Sequence, residues 1–387
     1  MNILFLYRIY PSYGGVEVVT TVLANEFIKD GHRVTIASFE RGKEGLLEQL
    51  DKRVFLLHLN RSVLSLHNMR RMKCYCKVNN IDVIINQWGL PFYTSLFLKI
   101  AVPNIPLISE LHGSPTVTKT LLTTKEKIFM SKTVFDKLKH RLVLFFKRCV
   151  IKYGLRYNLR VNDAYILLSP SFIPVLETFI GKHNNKILYA IGNPITVKTD
   201  YNNYSTEKTK TLLYVGRMDY ANKRVDRVVD FWIRCHNRLP EWNMVLIGDG
   251  PYRQALEEKA KNLPRIEFKP FAVDPPIEFY KKASILLLTS DLEGFGLVVI
   301  EAMSYGVVPV VYGSYEAIYD IIDAGKNGII TGYPFNEEEF DNSVISLCND
   351  NKQRELLANM AVEKSLVFSI DSIKTQWYTI INNIITI

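Results

Sequence analysis

The residues with the clearest chemical potential lie in the segment Ser290-Asp291-Leu292-Glu293-Gly294-Phe295-Gly296 and continue through Glu301-Ala302-Met303. Glu293 falls in a glycine-containing loop. Glu301, eight positions on, falls in an otherwise apolar helical face beside Val298, Ala302 and Met303. A carboxylate there is costly to bury unless something hydrogen-bonds it. The vicinal hydroxyls of a ribose would do so, because one carboxylate accepts from both, and Glu293 is placed to hold a second polyol. A helix-terminal acid stabilised by the dipole alone would account for Glu293 but poorly for Glu301.

Cations stand at comparable positions. Arg217 follows Val215-Gly216, and Lys223 comes six residues later. A forked guanidinium and a point-charge ammonium at one strand mouth suit a diphosphate, although a solvated surface pair fits the spacing equally well. Tyr13-Gly14-Gly15-Val16 opens a helix running to about Asp30, where bare backbone N–H groups can approach a phosphate. It is not the G-x-G-x-x-G dinucleotide fingerprint, so a dehydrogenase is not indicated. Gly248-Asp249-Gly250-Pro251 reads as a structural turn. In Glu110-Leu111-His112-Gly113-Ser114, the histidine is either a core residue or a donor to a reacting sugar. Asn86-Gln87-Trp88-Gly89 adds amides and an indole that suit a sugar acceptor, with packing the commoner role for Trp88.

These groups require strands to hold them. Ile3–Tyr7, Val34–Phe39, Val54–Leu59, Val83–Asn86, Leu107–Leu111, Tyr165–Leu168 and Ile187–Ile191 are short apolar runs without period-two alternation, as a parallel sheet covered on both faces demands. Gly192-Asn193-Pro194 and the polar stretch Lys198–Lys210 break the pattern. It restarts with Leu212–Val215, Met244–Ile247, Ile266–Phe268, Ile285–Leu288 and Val308–Val311. The expectation is an α/β protein of two doubly wound, Rossmann-like domains facing across a cleft. These are an acceptor-binding domain over 1–194, a nucleotide-sugar domain over 195–368, and a helix over 369–387 crossing back to the first.

In combination, Gly14-Gly15, His112, Val215-Gly216-Arg217 with Lys223, Gly248-Asp249-Gly250-Pro251 and the Glu293–Glu301 pair resemble the retaining nucleotide-sugar glycosyltransferases of family 4, which have the GT-B fold. The resemblance runs over nearly the whole chain. It implies that Arg217 and Lys223 grip the diphosphate and that Glu301 holds the ribose. Gly216 would shape the loop, while Glu293 and the backbone of Gly294, Phe295 and Gly296 orient the donor sugar. His112 would contact that sugar near the reacting centre, and the Gly14-Gly15 loop would close over phosphate and acceptor. It further implies no cofactor and no metal, a UDP-sugar donor, and a lipid-linked or surface-glycan acceptor in bacterial polysaccharide synthesis. Two positions depart from the family pattern: Arg224 where many relatives have Gly, and Glu-Leu-His-Gly-Ser in place of a His-Asp pair.

Of 387 residues, 48% are hydrophobic and 22% charged, which excludes disorder and small-scaffold classes. The formal charge of +9 is not evenly spread: residues 119–160 hold 12 basic and 2 acidic side chains. There the helical period gathers Phe135, Leu138, Leu142, Phe145, Phe146, Cys149 and Val150 opposite Lys137, Arg141, Lys147, Arg148 and Lys152. Such a helix either lies on anionic lipid or a lipid diphosphate, with Lys147 and Arg148 on the acceptor side, or packs its apolar face on the first sheet. No groove-reading motif points to nucleic acid. Five cysteines without metal spacing, no signal peptide and no long apolar run predict a cytoplasmic protein that touches the inner membrane face peripherally. The competing functional readings are an epimerase of the same fold and a sugar-nucleotide or lipid binding protein without turnover.

Overall fold

The computed structural model describes residues 1–12, 14–42, 44–131, 133–181, 187–199, 208–220, 222–272 and 276–385. Tyr13, positions 200–207 of the expected linker and Thr386–Ile387 of the expected last helix lie outside the described residues. The chain divides into two units, Met1–Gly192 with Ile373–Ile387, and Asn193–Ser372.

The first unit is a seven-stranded, all-parallel sheet in the order β3-β2-β1-β4-β5-β6-β7. Its strands are β1 (Asn2–Ile9), β2 (Arg33–Glu40), β3 (Phe55–His58), β4 (Val83–Asn86), β5 (Leu107–Leu111), β6 (Ala164–Leu167) and β7 (Leu188–Ala190). Helices α1 (Gly15–Lys29), α2 (Leu66–Val78), α3 (Phe92–Ala101), α4 (Lys119–Met130), α5 (Val134–Val161) and α6 (Phe172–Ile180) connect them. Strands β4, β5 and β6 are buried at every position, which is why they read as unbroken apolar runs.

The second unit is a six-stranded parallel sheet in the order β10-β9-β8-β11-β12-β13. It contains β8 (Thr211–Val215), β9 (Asn243–Ile247), β10 (Ile266–Lys269), β11 (Ile285–Leu288), β12 (Val308–Tyr312) and β13 (Ile329–Thr331). Its helices are α7 (Val225–Cys235), α8 (Arg253–Ala260), α9 (Ile277–Lys282), α10 (Leu297–Ser304), α11 (Ile318–Ile321), α12 (Glu337–Asn349) and α13 (Asn351–Ser365). In both sheets the strand order reverses beside the first strand, at β1/β4 and at β8/β11. These reversals open the crevices in which such sheets bind ligands, at the carboxyl ends of the strands.

Helix α14 (Ile370–Ile385) joins the first unit from Ile373 on. Its Tyr378 hydroxyl donates to Asp30 Oδ2 at 2.7 Å, Lys374 pairs with Asp30 at 3.1 Å, and the Tyr378 ring lies 5.3 Å from that of Phe27.

The basic segment differs from a single helix packed on the sheet. It breaks between α4 and α5, where the Thr133 hydroxyl caps α5 by accepting from Asp136 N–H at 3.1 Å. The buried residues of α5 are Gly154, Leu155, Asn158 and Leu159, all near its end. Phe135, Leu138, Leu142, Phe145, Phe146 and Val150 are each more than half exposed, so the reading in which this face packs on the first sheet is corrected.

Candidate functional site

At the β8/β11 reversal the carboxyl ends of two neighbouring strands bring Lys223 and Glu293 together. Lys223 Nζ lies 2.6 Å from Glu293 Oε1, which also accepts from the Ser290 hydroxyl at 2.7 Å. Glu293 is buried, so its charge is compensated by the ammonium rather than by water. The lysine's own loop is set by Asp219, whose Oδ1 accepts the backbone N–H of Asn222 at 2.8 Å and of Lys223 at 2.9 Å. Arg217 stands at the end of β8 with a side chain 63% exposed, 3.7 Å from Asp219. It is free to swing, whereas Lys223 is already seated.

Arg224 has φ +46 and caps α7 in the left-handed region. That conformation costs a non-glycine residue about 1–2 kcal/mol. Its guanidinium is held on Asp226 at 3.0 Å and Asp291 at 3.1 Å, and stacks 4.6 Å over the Tyr220 ring. The turn keeps its shape through ion pairs instead of through a missing Cβ.

Gly296, at φ +98, turns the chain into α10, and a Cβ there would lie 2.5 Å from Tyr315 Oη. That hydroxyl is buried and has no hydrogen-bond partner among the described residues, so it offers a donor beside the Glu293 loop. Gly248 and Gly250 have a different task. A Cβ on either would collide with backbone carbonyls of Gly216 and Met218, which is how β8 and β9 end side by side.

Glu301 lies one to two turns into α10 and is buried. Its carboxylate is not waiting for a ligand to satisfy it: Thr196 donates to Oε1 and Tyr280 donates to Oε2 at 3.0 Å. Burial nevertheless holds its pKa above the ordinary value. Two protein donors leave lone pairs on both oxygens, enough for a pair of vicinal hydroxyls.

In the first unit, register places Asn86 of β4 beside Ser109 of β5, so Gln87 falls next to Glu110. Gln87 Nε2 donates to Glu110 Oε2 at 2.9 Å, and Gln87 Oε1 meets His112 Nε2. Burial pushes the Glu110 carboxyl up to about 8 and the His112 imidazole down to about 3. At neutral pH the acid is therefore protonated and the imidazole neutral, and their 3.7 Å approach is not an ion pair. With its proton on Nε2 toward the amide, His112 presents Nδ1 as an acceptor, and that atom is buried without a partner among the described residues.

This arrangement has a pH signature. Glu110 is raised above its usual 4.5, so its contribution to stability is complete below 4.5 and is lost as pH rises through 8. The depressed His112 acts oppositely, losing stability as pH falls from 6.5 toward 3, and is silent above 6.5. Between pH 6.5 and 8 the melting temperature of the wild type should fall more steeply than that of Glu110→Gln. Thermal denaturation at constant ionic strength checks this, and parallel slopes would remove Glu110 as the source.

Trp88 packs edge-on to Phe39 and Tyr93 with Arg8 5.5 Å above it. Gly14 is the extended N-cap of α1, and a Cβ there would strike the Glu17 carboxylate, so this helix start already faces an anion of its own. Gly15 is the first residue of α1. Lys147 donates to Thr124 Oγ1 at 2.8 Å and so ties α5 to α4, while the Arg148 guanidinium stacks 5.4 Å over Phe179. Among the described residues no group of three or more His, Cys, Asp and Glu is placed to hold a metal.

Two family descriptions match successive parts of the chain: Glycosyltransferase Family 4 over residues 13–172 and Glycosyl transferases group 1 over residues 199–364. The chain belongs to the group 1, family 4 glycosyltransferases. Its fold is GT-B. WaaB, a lipopolysaccharide outer core galactosyltransferase, superposes with a TM-score of 0.68 at 19% identity over 99% of both chains. Anabaena HepE, solved with UDP-glucose, gives 0.74 at 19% identity over 99% of this chain and 100% of that one. By sequence, the glycosyltransferase is 26% identical over 95% of each chain to a Campylobacter jejuni α-1,4-N-acetylgalactosaminyltransferase named for a diNAcBac-PP-undecaprenol-linked acceptor. It is 25% identical over 95% of its length, and 96% of the relative's, to an uncharacterised Haemophilus influenzae glycosyltransferase.

Several residues of this glycosyltransferase's site escape a linear reading. Thr196 and Tyr280 reach Glu301 from 105 and 21 positions away, and Gln87 and Glu110 meet only through the β4/β5 register. Ser290, adjacent to the acidic pair in sequence, carried a signal: a hydroxyl three residues before a loop glutamate is well placed to donate to it.

Proposed function

We propose that the enzyme transfers a hexose or N-acetylhexosamine from a UDP-sugar, with retention of configuration and without a metal, to a lipid-linked glycan in bacterial polysaccharide assembly. The observation that carries this is the seated Lys223–Glu293 pair at the β8/β11 crevice. An ammonium fixed there stabilises negative charge as the sugar–phosphate bond breaks, and Arg217 can swing in to share it. Glu301 accepts from the ribose hydroxyls, Glu293 orients the donor sugar, and His112 Nδ1 accepts from a sugar hydroxyl. The bond from the anomeric carbon to the diphosphate oxygen breaks through an oxocarbenium-like state, and the bond to the acceptor oxygen forms on the same face. The acceptor's proton passes to the departing diphosphate. The cations act on charge that grows in the transition state, where stabilisation raises rate.

A thermal-shift panel of nucleotide sugars tests donor binding: a UDP-sugar at 100 times its dissociation constant should stabilise by about 2.7 kcal/mol. NMR of the product should show the donor's anomeric configuration, and turnover should survive EDTA. Inversion, or loss with chelator, would reject the mechanism.

The exposed face of α5 supports a peripheral position on the cytoplasmic membrane face. None of the described helices is long and apolar enough to cross a membrane. Each basic group near an anionic surface is worth about 1 kcal/mol. Leu138→Glu with Leu142→Glu should abolish flotation with phosphatidylglycerol vesicles and leave the melting temperature nearly unchanged, since both side chains are exposed. Undiminished flotation would exclude this face.

A further inference from the structure

A groove of about 620 Å3 lies between α5 and α6 in the first unit. Phe145, Arg148, Cys149 and Lys152 line it from one face of α5, at spacings of three and four residues, and Phe179 lines it from α6. Among the described residues neither Arg148 nor Lys152 forms an ion pair, and Arg148 is steadied by the Phe179 ring. Two cations one helical turn apart, without carboxylates and set between aromatic walls, match a ligand that is doubly anionic at one end and apolar at the other. Thr116 also lines the groove, four residues beyond His112 on the loop after β5. The groove therefore borders the same loop as the sugar-contacting histidine, a location that favours a substrate over bulk lipid.

We propose that this groove binds the diphosphate and first apolar units of an isoprenoid-diphosphate acceptor. The assignment rests on the lipid-linked acceptor argued above and gives it a place: Arg148 and Lys152 take the two phosphates, and Phe145 and Phe179 cover the start of the chain.

Cys149 supplies a direct test, because it lines the groove and is exposed, and Cys74 on α2 is an exposed control. The full chain is treated with a maleimide in neutral detergent micelles containing geranylgeranyl diphosphate, geranylgeraniol or phosphatidylglycerol at equal mole fraction. With the diphosphate at ten times its dissociation constant, Cys149 alkylation should slow about tenfold, since only the free fraction reacts. Cys74 should be unaffected, and the alcohol and the phospholipid should protect little. In Arg148→Ser with Lys152→Ser the protection should vanish while the melting temperature is kept.

The proposal is overturned by an unprotected Cys149, by equal protection from the alcohol or the phospholipid, or by protection that persists in the double variant. UDP-sugar thermal shifts on the same samples separate the two readings. A shift without protection removes the groove and leaves donor binding intact, and protection without a shift removes donor binding and leaves the groove.

Discussion

Lys223→Ala lowers turnover at saturating donor by about 10²–10³-fold, the usual loss when one group aimed at developing negative charge is deleted. The geometry adds a second consequence. Lys223 is the only cation on Glu293 among the described residues, and its removal leaves a buried carboxylate with the Ser290 hydroxyl alone. Breaking a buried pair from one side costs about 3–5 kcal/mol, so the variant should also melt earlier. Glu293→Gln in the same chain relieves the buried charge and should restore much of the melting temperature without restoring turnover. Stability and rate then separate in one cycle. Activity above a tenth of wild type in the single variant would be incompatible with the assigned role.

Glu301→Gln weakens nucleotide-sugar binding by about 1.5–3 kcal/mol, the worth of hydrogen bonds to a charged acceptor. Glutamine preserves shape, so Thr196 and Tyr280 keep a partner and the fold is retained. The decisive comparison uses UDP with its 2′-deoxy and 3′-deoxy analogues. Against wild type the deoxy compounds bind more weakly, and against Glu301→Gln that difference should shrink. A difference of the same size in both proteins would show that the carboxylate does not touch the ribose. Because burial raises the Glu301 pKa, wild-type donor affinity should also fall on acidification, beginning at a higher pH than an ordinary carboxylate would give. The glutamine variant should lack that dependence.

Both sheets were readable because a parallel strand covered on two faces has no polar alternation to obscure it. Val83–Asn86, Leu107–Leu111 and Ile285–Leu288 are the same spans in sequence and structure. Strand β13 escaped because three residues between Gly328 and Gly332, at a sheet edge, carry too little pattern to register. In the site, Glu293 and Glu301 announced themselves as acids where the surrounding period called for apolar or loop residues. What holds Glu301 did not, since a hydrogen-bond partner 105 positions away is a product of topology. The amphipathic face of α5 was also plain, but periodicity records that a helix has two faces and not what covers them. Arg224 looked like a loss at a turn that wants glycine, and only the acids at Asp226 and Asp291 explain how the loop tolerates it.

The return of α14 to the first unit imposes an order on biosynthesis. The Asn193–Ser372 unit is continuous in sequence and can close as soon as it has emerged from the ribosome. The Met1–Gly192 unit, although made first, gains its contacts on Phe27 and Asp30 only once residues 373–385 have been made. Until then its α1 flank stays open. The half of the enzyme that carries the basic helix hairpin is thus the last to be completed, after the Asn193–Ser372 unit is already whole.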